Sequence, residues 1–144
     1  MRAVVLCLGL CAALAAPAAE AGPRDGPTEP AYLYRAEVVR VIDGDTIVVD
    51  IDLGFYTWLH EQRIRLSGID APPARGAQKA AGIAATDFLK SLVDGREIII
   101  RTFKASDRGD AKGKYGRWLG RIYVDGLDVN QRMIDAGHAV PYDG

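Results

Sequence analysis

The stretch Val41–Leu53, VIDGDTIVVDIDL, places a turn directly before a strand. Asp43-Gly44 is a turn signal, because both residue types tolerate the backbone conformations of tight turns. From Ile47 to Leu53, every second side chain is apolar: Ile47, Val49, Ile51 and Leu53. This period of two predicts a half-buried strand that follows the turn.

Segments on either side of this stretch predict four more strands. They are rich in β-branched residues and end at glycine, proline or Asp-Gly signals. The predicted strands are Tyr34–Ile42, Gln62–Ile69, Glu97–Phe103 and Trp118–Val124. In the strand that begins near Gln62, Ile64 and Leu66 face one way, whereas Arg63 and Arg65 face the other.

Two segments predict helices. Apolar residues recur at helical spacing within Ala74–Val93, at Ala77, Ala81, Ala84, Phe88 and Leu92, and Gly95 follows as a stop. Asp128 can cap a shorter helix that runs to Ala136 and stops at Gly137. Three strands, a helix, two strands and a helix predict a mixed, mainly β fold. Its architecture is expected to be a five-stranded OB-type barrel with two helices packed on it.

The amino-terminal segment has the features of a secretory signal. Residues 1–21 combine an early arginine, an apolar run too short to span a bilayer and an Ala-Glu-Ala ending, so they predict a cleaved signal peptide. Residues 22–31 are rich in proline and glycine and predict a disordered linker, and the domain is expected over 32–142. Both cysteines, Cys7 and Cys11, lie in the signal, so we expect a secreted or periplasmic protein without disulfides. No membrane association is expected after cleavage.

Composition excludes several classes of protein. The chain has 144 residues, of which 49% are apolar and 26% charged, which argues against a disordered chain and against a membrane bundle. The net charge of −1 excludes binding of nucleic acid through an overall positive charge. Any binding of anions must therefore come from local clusters.

Two motifs place carboxylates near arginine. Asp43-Gly44-Asp45 can present oxygen ligands to a divalent cation, or it can be an ordinary hairpin turn. Arg65 lies among apolar neighbours, so its guanidinium faces solvent or a bound anion, and Asp70 precedes a turn fixed by Pro72-Pro73. Each motif is ambiguous alone.

Two further motifs suit a phosphate backbone. Residues 101–117 hold six basic side chains against two acidic ones, with three glycines, and predict a mobile basic loop or a merely solvated one. Within it, Lys114-Tyr115-Gly116-Arg117 brackets an aromatic ring with basic groups. A base could stack on Tyr115 while Arg117 contacts a phosphate.

Together, these motifs resemble the staphylococcal nuclease-like (thermonuclease) family over about residues 34–140. Asp-Gly-Asp-Thr, the Arg65 to Pro72 segment and Lys-Tyr-Gly-Arg occur in the family's order. The resemblance implies a monomeric OB barrel that cleaves DNA and RNA with Ca²⁺ and prefers single-stranded substrates. It implies that the metal ligands are Asp45, Asp70 and the Ala71 carbonyl. It further implies that Arg65 and Arg117 hold the scissile phosphate and that Lys114 and Tyr115 contact a neighbouring one.

One position departs from the family pattern. The family has a glutamate, its proposed general base, where this chain has Pro73. General-base assistance is typically worth about 10² to 10⁴ in rate, so we expect a weak nuclease. Asp107 or Asp110 of the basic loop could supply another base.

The remaining aromatic and histidine residues are less informative. The tip of the second hairpin carries Phe55, Tyr56, Trp58 and His60, which either form a small apolar patch that closes the barrel or stack on a single strand. Tyr142 could cover a nucleotide site. Neither His60 nor His138 has a partner motif, so neither is expected to bind metal.

Three functions compete on this sequence. One is a secreted, calcium-dependent nuclease that Pro73 weakens. Another is an OB module that binds single strands without cleaving them, which tight DNA binding without calcium-dependent cleavage would reveal. The third is an extracellular interaction domain, for which calcium and nucleotide would leave thermal stability unchanged.

Overall fold

The described residues form nine strands and two helices. The computed structural model describes residues 31–103, 112–113 and 117–143, so the predicted signal peptide and nearly all of the predicted linker lie outside the described residues. The strands are β1 Leu33–Asp43, β2 Thr46–Asp52, β3 Trp58–Leu66, β4 Ile69–Asp70, β5 Glu97–Thr102, β6 Lys112–Gly113, β7 Arg117–Val124, β8 Leu127–Asp128 and β9 Val140–Pro141. The helices are α1 Lys79–Val93, preceded by a 3₁₀ turn at Gly76–Gln78, and α2 Val129–Asp135.

Five strands close into a barrel. Antiparallel pairs run in the order β3, β2, β1, β5, β7, and β7 returns to β3 as a parallel neighbour. The register of the closing pair joins Ile64 to Trp118 and Arg65 to Leu119. Closure removes the free sheet edges that an open sheet would expose. The predicted five-stranded barrel with two helices is therefore confirmed.

The barrel interior is apolar and fully covered. Fully buried side chains from four of the five strands meet there: Ile47, Ile64, Ile100 and Ile122. Val48 is also buried, although the alternation predicts that it lies on the outer side of β2. It pairs with Arg40 on β1 and with Arg63 on β3. The aliphatic parts of arginine side chains can cover apolar surface of this kind. Leu53, predicted in the strand, lies beyond its end and is exposed.

Helix α1 buries a different face from the one its spacing suggested. Its buried residues are Gly82, Ala85, Leu89 and Val93, one position away from the predicted stripe. Phe88 and Leu92 are half-buried against the core, but Ala77, Ala81 and Ala84 are exposed. The helix also starts at Lys79 rather than at Ala74. Small alanines mark a face weakly, because burying a methyl group contributes little free energy.

The ends of both helices follow local signals. The Asp128 carboxylate accepts a hydrogen bond from the Gln131 N–H at 3.0 Å, which confirms the predicted cap of α2. Gly95 and Gly137 have positive φ angles of 65° and 74°, the conformation of a helix stop. Neither helix in the described ranges is long and apolar enough to cross a membrane.

Candidate active site

Arg65 joins two carboxylates that are far apart in the chain. Its Nη1 donates to Asp45 Oδ1 at 2.8 Å and its Nη2 donates to Asp70 Oδ1 at 2.6 Å. The barrel register explains the first contact, because Arg65 pairs with Thr46, the residue after Asp45. The second contact follows from the tight turn between β3 and β4. Three of the predicted site residues are thus brought together.

Asp45 is held in a nearly buried position. Its side chain is only 6% exposed, against 53% for Asp70. Besides Arg65, it accepts hydrogen bonds from the Thr46 hydroxyl at 2.9 Å and from the Ala71 N–H at 3.2 Å. Burial raises the pKa of the Asp45 carboxyl above its ordinary value, and these hydrogen bonds and the Arg65 charge offset only part of that effect. A further cation beside Asp45 would therefore be stabilising.

A cavity of about 420 Å³ opens on this ion-paired group. Its lining contains Asp45, Arg65, Asp70 and Ala71 from the predicted site, and also Pro73. Asp43 and Arg75 line the same cavity, and of these two residues sequence reasoning missed Arg75. Asp43 stood in the quoted turn motif, and its Oδ1 accepts the Asp45 N–H at 3.2 Å. The position of Arg75 beyond the proline pair carried no signal.

Close packing holds the wall of the cavity in place. A Cβ on Gly82 of α1 would lie 2.4 Å from the backbone of Pro73, and one on Gly44 would lie 2.7 Å from the Ala71 side chain. Only glycine leaves room for contacts this close. The turn before β2 and the Ala71–Pro73 segment are therefore packed together, with α1 behind the prolines.

The donor atoms at this site fit a hard cation in part. Asp45 and Asp70 supply carboxylate oxygens, the ligands that Ca²⁺ prefers, and Asp43 lies in the same lining. Within the described part of the chain, no three His, Cys, Asp or Glu side chains converge as a ready metal cluster. Ca²⁺ takes six to eight oxygen ligands, so water and a substrate phosphate would complete the shell. A site of this kind suits an ion that binds together with substrate.

Arg117 is not in the lining of this cavity. It begins β7, the parallel neighbour of β3, and is half-buried. Lys114, Tyr115, Asp107 and Asp110 lie outside the described residues, so their predicted roles stay predictions. A second cavity of about 370 Å³ shares Arg65 and is lined by Leu119 and Tyr142. Tyr142 thus shares a cavity with Arg65, and its role as a cover for a nucleotide stays a prediction.

The hairpin tip does not form the predicted apolar patch. Phe55 and Tyr56 are 98% and 104% exposed, and both have positive φ angles. The turn geometry points them away from the barrel, which the sequence pattern did not show. His60 instead accepts or donates a 2.8 Å hydrogen bond with Asp50, and His138 stacks on Phe88 with ring centroids 4.4 Å apart.

Comparison with known proteins assigns the family. The staphylococcal nuclease homologue model matches residues 63–143, which include Arg65, Asp70 and Arg117 but not Asp45. The chain therefore belongs to the staphylococcal nuclease homologue family. It is 41% identical over 108 residues to two proteins named "Uncharacterized endonuclease", from Escherichia coli O157:H7 and Escherichia coli. It is 30% identical over 122 residues to the thermonuclease of Staphylococcus hyicus.

These alignments cover most of this chain but less of the relatives. They include 74% of this chain and 60% of either Escherichia coli protein, and 79% of this chain and 66% of the thermonuclease. The chain thus spans about 60% of the length of the first relatives.

Proposed function

We propose that this chain is a secreted, calcium-dependent nuclease that hydrolyses phosphodiester bonds of DNA and RNA. We further propose that it acts as a monomer, prefers single strands and is weakened by Pro73. The observation that carries the proposal is Arg65, held between Asp45 and Asp70 at the wall of an open cavity. Membership of the family and the endonuclease names of the relatives support the reaction class.

Asp45 and Asp70 would hold the cation, with the Ala71 carbonyl as a third ligand. Bound Ca²⁺ would supply positive charge for a phosphate oxygen and for an attacking water. Asp45 is suited to this role because its buried carboxylate is costly to ionise without a neighbouring cation. Arg65 provides part of that positive charge within the chain itself.

Arg65 and Arg117 would bind the scissile phosphate. A guanidinium presents two parallel N–H donors that match two phosphate oxygens, and it stays charged throughout the reaction. The Arg65 side chain is only 17% exposed and already ordered by two carboxylates, so little conformational entropy is lost when it turns to a phosphate. Lys114 and Tyr115 would contact the next phosphate along the strand.

Asp43 would accept the proton of the attacking water. Pro73 is exposed at the cavity and has no group that titrates. Asp43 lines the same cavity, and among the described residues only its Oδ1 receives a hydrogen bond. Its second oxygen is therefore open to water. Asp43 is an alternative to Asp107 and Asp110, which lie outside the described residues, as a weak substitute for the glutamate.

Hydrolysis of denatured DNA by the mature protein, with calcium or with chelator, tests the proposal. We expect weak cleavage that requires calcium and rises about 10² to 10⁴-fold in Pro73→Glu. Two controls separate position from side effects: Pro73→Ala removes the ring alone, and Ala74→Glu adds a carboxylate at the neighbouring exposed position. Neither control should reproduce the gain. Strong cleavage by the natural chain, unimproved by the glutamate, would contradict the role given to Pro73.

A second candidate function is an OB module that binds single strands without cleaving them. The proline in place of the glutamate favours it, because the phosphate-binding arginines do not depend on that position. DNA binding that persists while both the natural chain and Pro73→Glu fail to cleave would favour this module over the nuclease. Unchanged thermal stability with calcium and nucleotide would speak against both.

A further inference from the structure

Arg63 is an exposed arginine on β3 that has no carboxylate partner among the described residues. Five other described arginines contact carboxylates: Arg35 with Asp52, Arg40 with Glu61, Arg65 with Asp45 and Asp70, Arg96 with Asp125, and Arg121 with Asp128. Glu61 is the acidic residue nearest to Arg63 in sequence, but it lies 3.0 Å from Arg40 instead. The charge of Arg63 is thus available to a ligand.

The barrel places Arg63 next to the two arginines proposed to hold the scissile phosphate. It precedes Arg65 by two residues and shares its face of β3, at a spacing of about 6.7 Å along the strand. It also precedes Ile64, the partner of Trp118, so it stands at the level of Arg117 across the parallel pair. Residues 63, 65 and 117 therefore lie close together on two neighbouring strands.

Three arginines on one surface fit a linear polyanion better than a single phosphate. Two arginines are sufficient for one phosphate group, so the third is available to the next phosphate of the strand. Successive phosphates of an extended single strand are spaced in a comparable way. Neutralising each phosphate releases condensed counterions, which makes the contact favourable and dependent on salt.

We propose that Arg63 binds a phosphate next to the scissile one, so that the chain contacts more than two nucleotides of a single strand. This inference rests on the proposed function in that the ligand is a nucleic acid. It adds a contact on the side of β3 that leads toward the barrel end away from Asp45. Arg63 is here a binding residue and takes no part in the chemical step.

Binding of labelled single-stranded DNA in chelator tests the inference without cleavage. The probes are a twelve-nucleotide strand and a dinucleotide without a terminal phosphate, measured by fluorescence anisotropy over a series of salt concentrations. We expect Arg63→Gln to weaken binding of the longer strand by about threefold or more at low salt and to reduce the salt slope by about 0.7, the value for one phosphate of a single strand. Dinucleotide binding should not change.

Two variants control for charge and packing. Arg132→Gln removes an exposed arginine from α2 rather than from β3 or β7, and should leave both measurements unchanged. Arg63→Lys keeps the charge and should restore most of the salt slope. Equal binding by the Arg63→Gln and Arg132→Gln variants would overturn the inference, as would a natural chain that binds the longer strand no better than the dinucleotide.

The test separates this inference from the proposed function. If calcium-dependent cleavage is found but Arg63→Gln behaves like Arg132→Gln, the nuclease proposal stands and the Arg63 contact is wrong. If no cleavage is found in any condition but Arg63→Gln alone loses the longer strand, the contact stands and the nuclease proposal is wrong.

Discussion

An arginine–aspartate ion pair lies at each end of β2, and the two pairs differ in their surroundings. Asp45, just before the strand, lies 2.8 Å from Arg65, and Asp52, its last residue, lies 2.7 Å from Arg35. Burial raises the pKa of Asp45, whereas the Arg35 hydrogen bond and the Gly54 N–H lower the pKa of Asp52. Arg35 is half exposed, so water still solvates that pair.

The contrast shows that the distance between partners does not determine the sign of a pKa shift. At Asp52, the charged form gains two hydrogen bonds and loses little solvation, so ionisation is favoured. At Asp45, lost solvation outweighs several hydrogen bonds. A carboxylate kept ionisable at such a cost is expected where a cation or substrate compensates for it.

The largest expected difference between the two ends is in catalysis. Arg65→Ala should lower the rate of DNA cleavage by about 10² to 10³-fold, the effect of removing one preorganised donor to a developing charge. Arg35→Ala breaks an ion pair of the same length at the other end and should leave the rate unchanged. Initial rates on denatured DNA with calcium measure both, and equal losses would mean that Arg65 acts only through stability.

The second prediction concerns Asp43 beside Asp45. Asp43→Asn should lower cleavage by about tenfold or more, at or below the low end of general-base effects, because an amide cannot take a proton from water. In a Pro73→Glu background the same change should have little further effect, since the glutamate then serves as base. Rates of the four proteins form a double-mutant cycle, and additive losses would contradict the shared role.

The third prediction tests the packing that holds the buried end. Gly82→Ala should destabilise the protein by about 1 to 3 kcal/mol, because its Cβ would meet the Pro73 backbone at 2.4 Å. Helix propensity alone predicts the opposite, a gain of about 0.8 to 1 kcal/mol. Urea unfolding decides between the two, and cleavage should fall as well because the Ala71–Pro73 segment must move.

A glycine introduced on the exposed face of α1 is the matched control. Ala84→Gly should cost about 1 kcal/mol through propensity alone, with no effect on cleavage. A loss of activity in Ala84→Gly equal to that of Gly82→Ala would show that the effect passes through the helix and not through Pro73.

The smallest effect is the pH dependence of stability. The pKa of Asp52 is lower in the folded state than its ordinary value of 3.8, so the ionised carboxylate stabilises the fold above pH 3.8. This stability is lost as pH falls through the folded pKa. Asp52→Asn should therefore have a lower melting temperature than the natural chain at neutral pH but not in acid. The raised pKa of Asp45 has the opposite sign: stability falls as pH rises from 3.8 through the folded pKa.

Asp45→Asn should therefore have a higher melting temperature than the natural chain at neutral pH, and the two melting temperatures should converge in acid. Melting temperature against pH for both variants measures this difference. Curves that shift in the same direction would contradict the contrast between the two ends of β2.

Local signals predicted the elements well. Alternation located the barrel strands, and Asp128 with Gln131 located the start of α2, because a cap depends on residues only three apart. The buried face of α1 was missed by one position. Periodicity identifies a stripe, but the surface that the helix meets, here Pro73 against Gly82, selects which residues are covered.

The candidate site was predicted in part. Resemblance to the family pointed to Asp45, Arg65 and Asp70, and the structure joins them through one guanidinium. Sequence reasoning placed Asp43 in a possible metal-binding turn and did not assign Arg75; that both line one cavity depends on the packing of Gly44 and Pro73 against α1. The exposure of Phe55 and Tyr56 also depended on positive φ angles that composition does not reveal.

The sequence by itself determined the order of the strands and helices, the caps and stops, and the family motifs. These depend on interactions within a few residues of one another or on matching residue types. Only the tertiary structure decided that Arg65 contacts two carboxylates, that Arg63 stands beside Arg117, and that the Asp45 and Asp52 pKa values move apart. Closing the barrel sets which strands are neighbours and how much water each charge retains, and neither quantity is local in the chain.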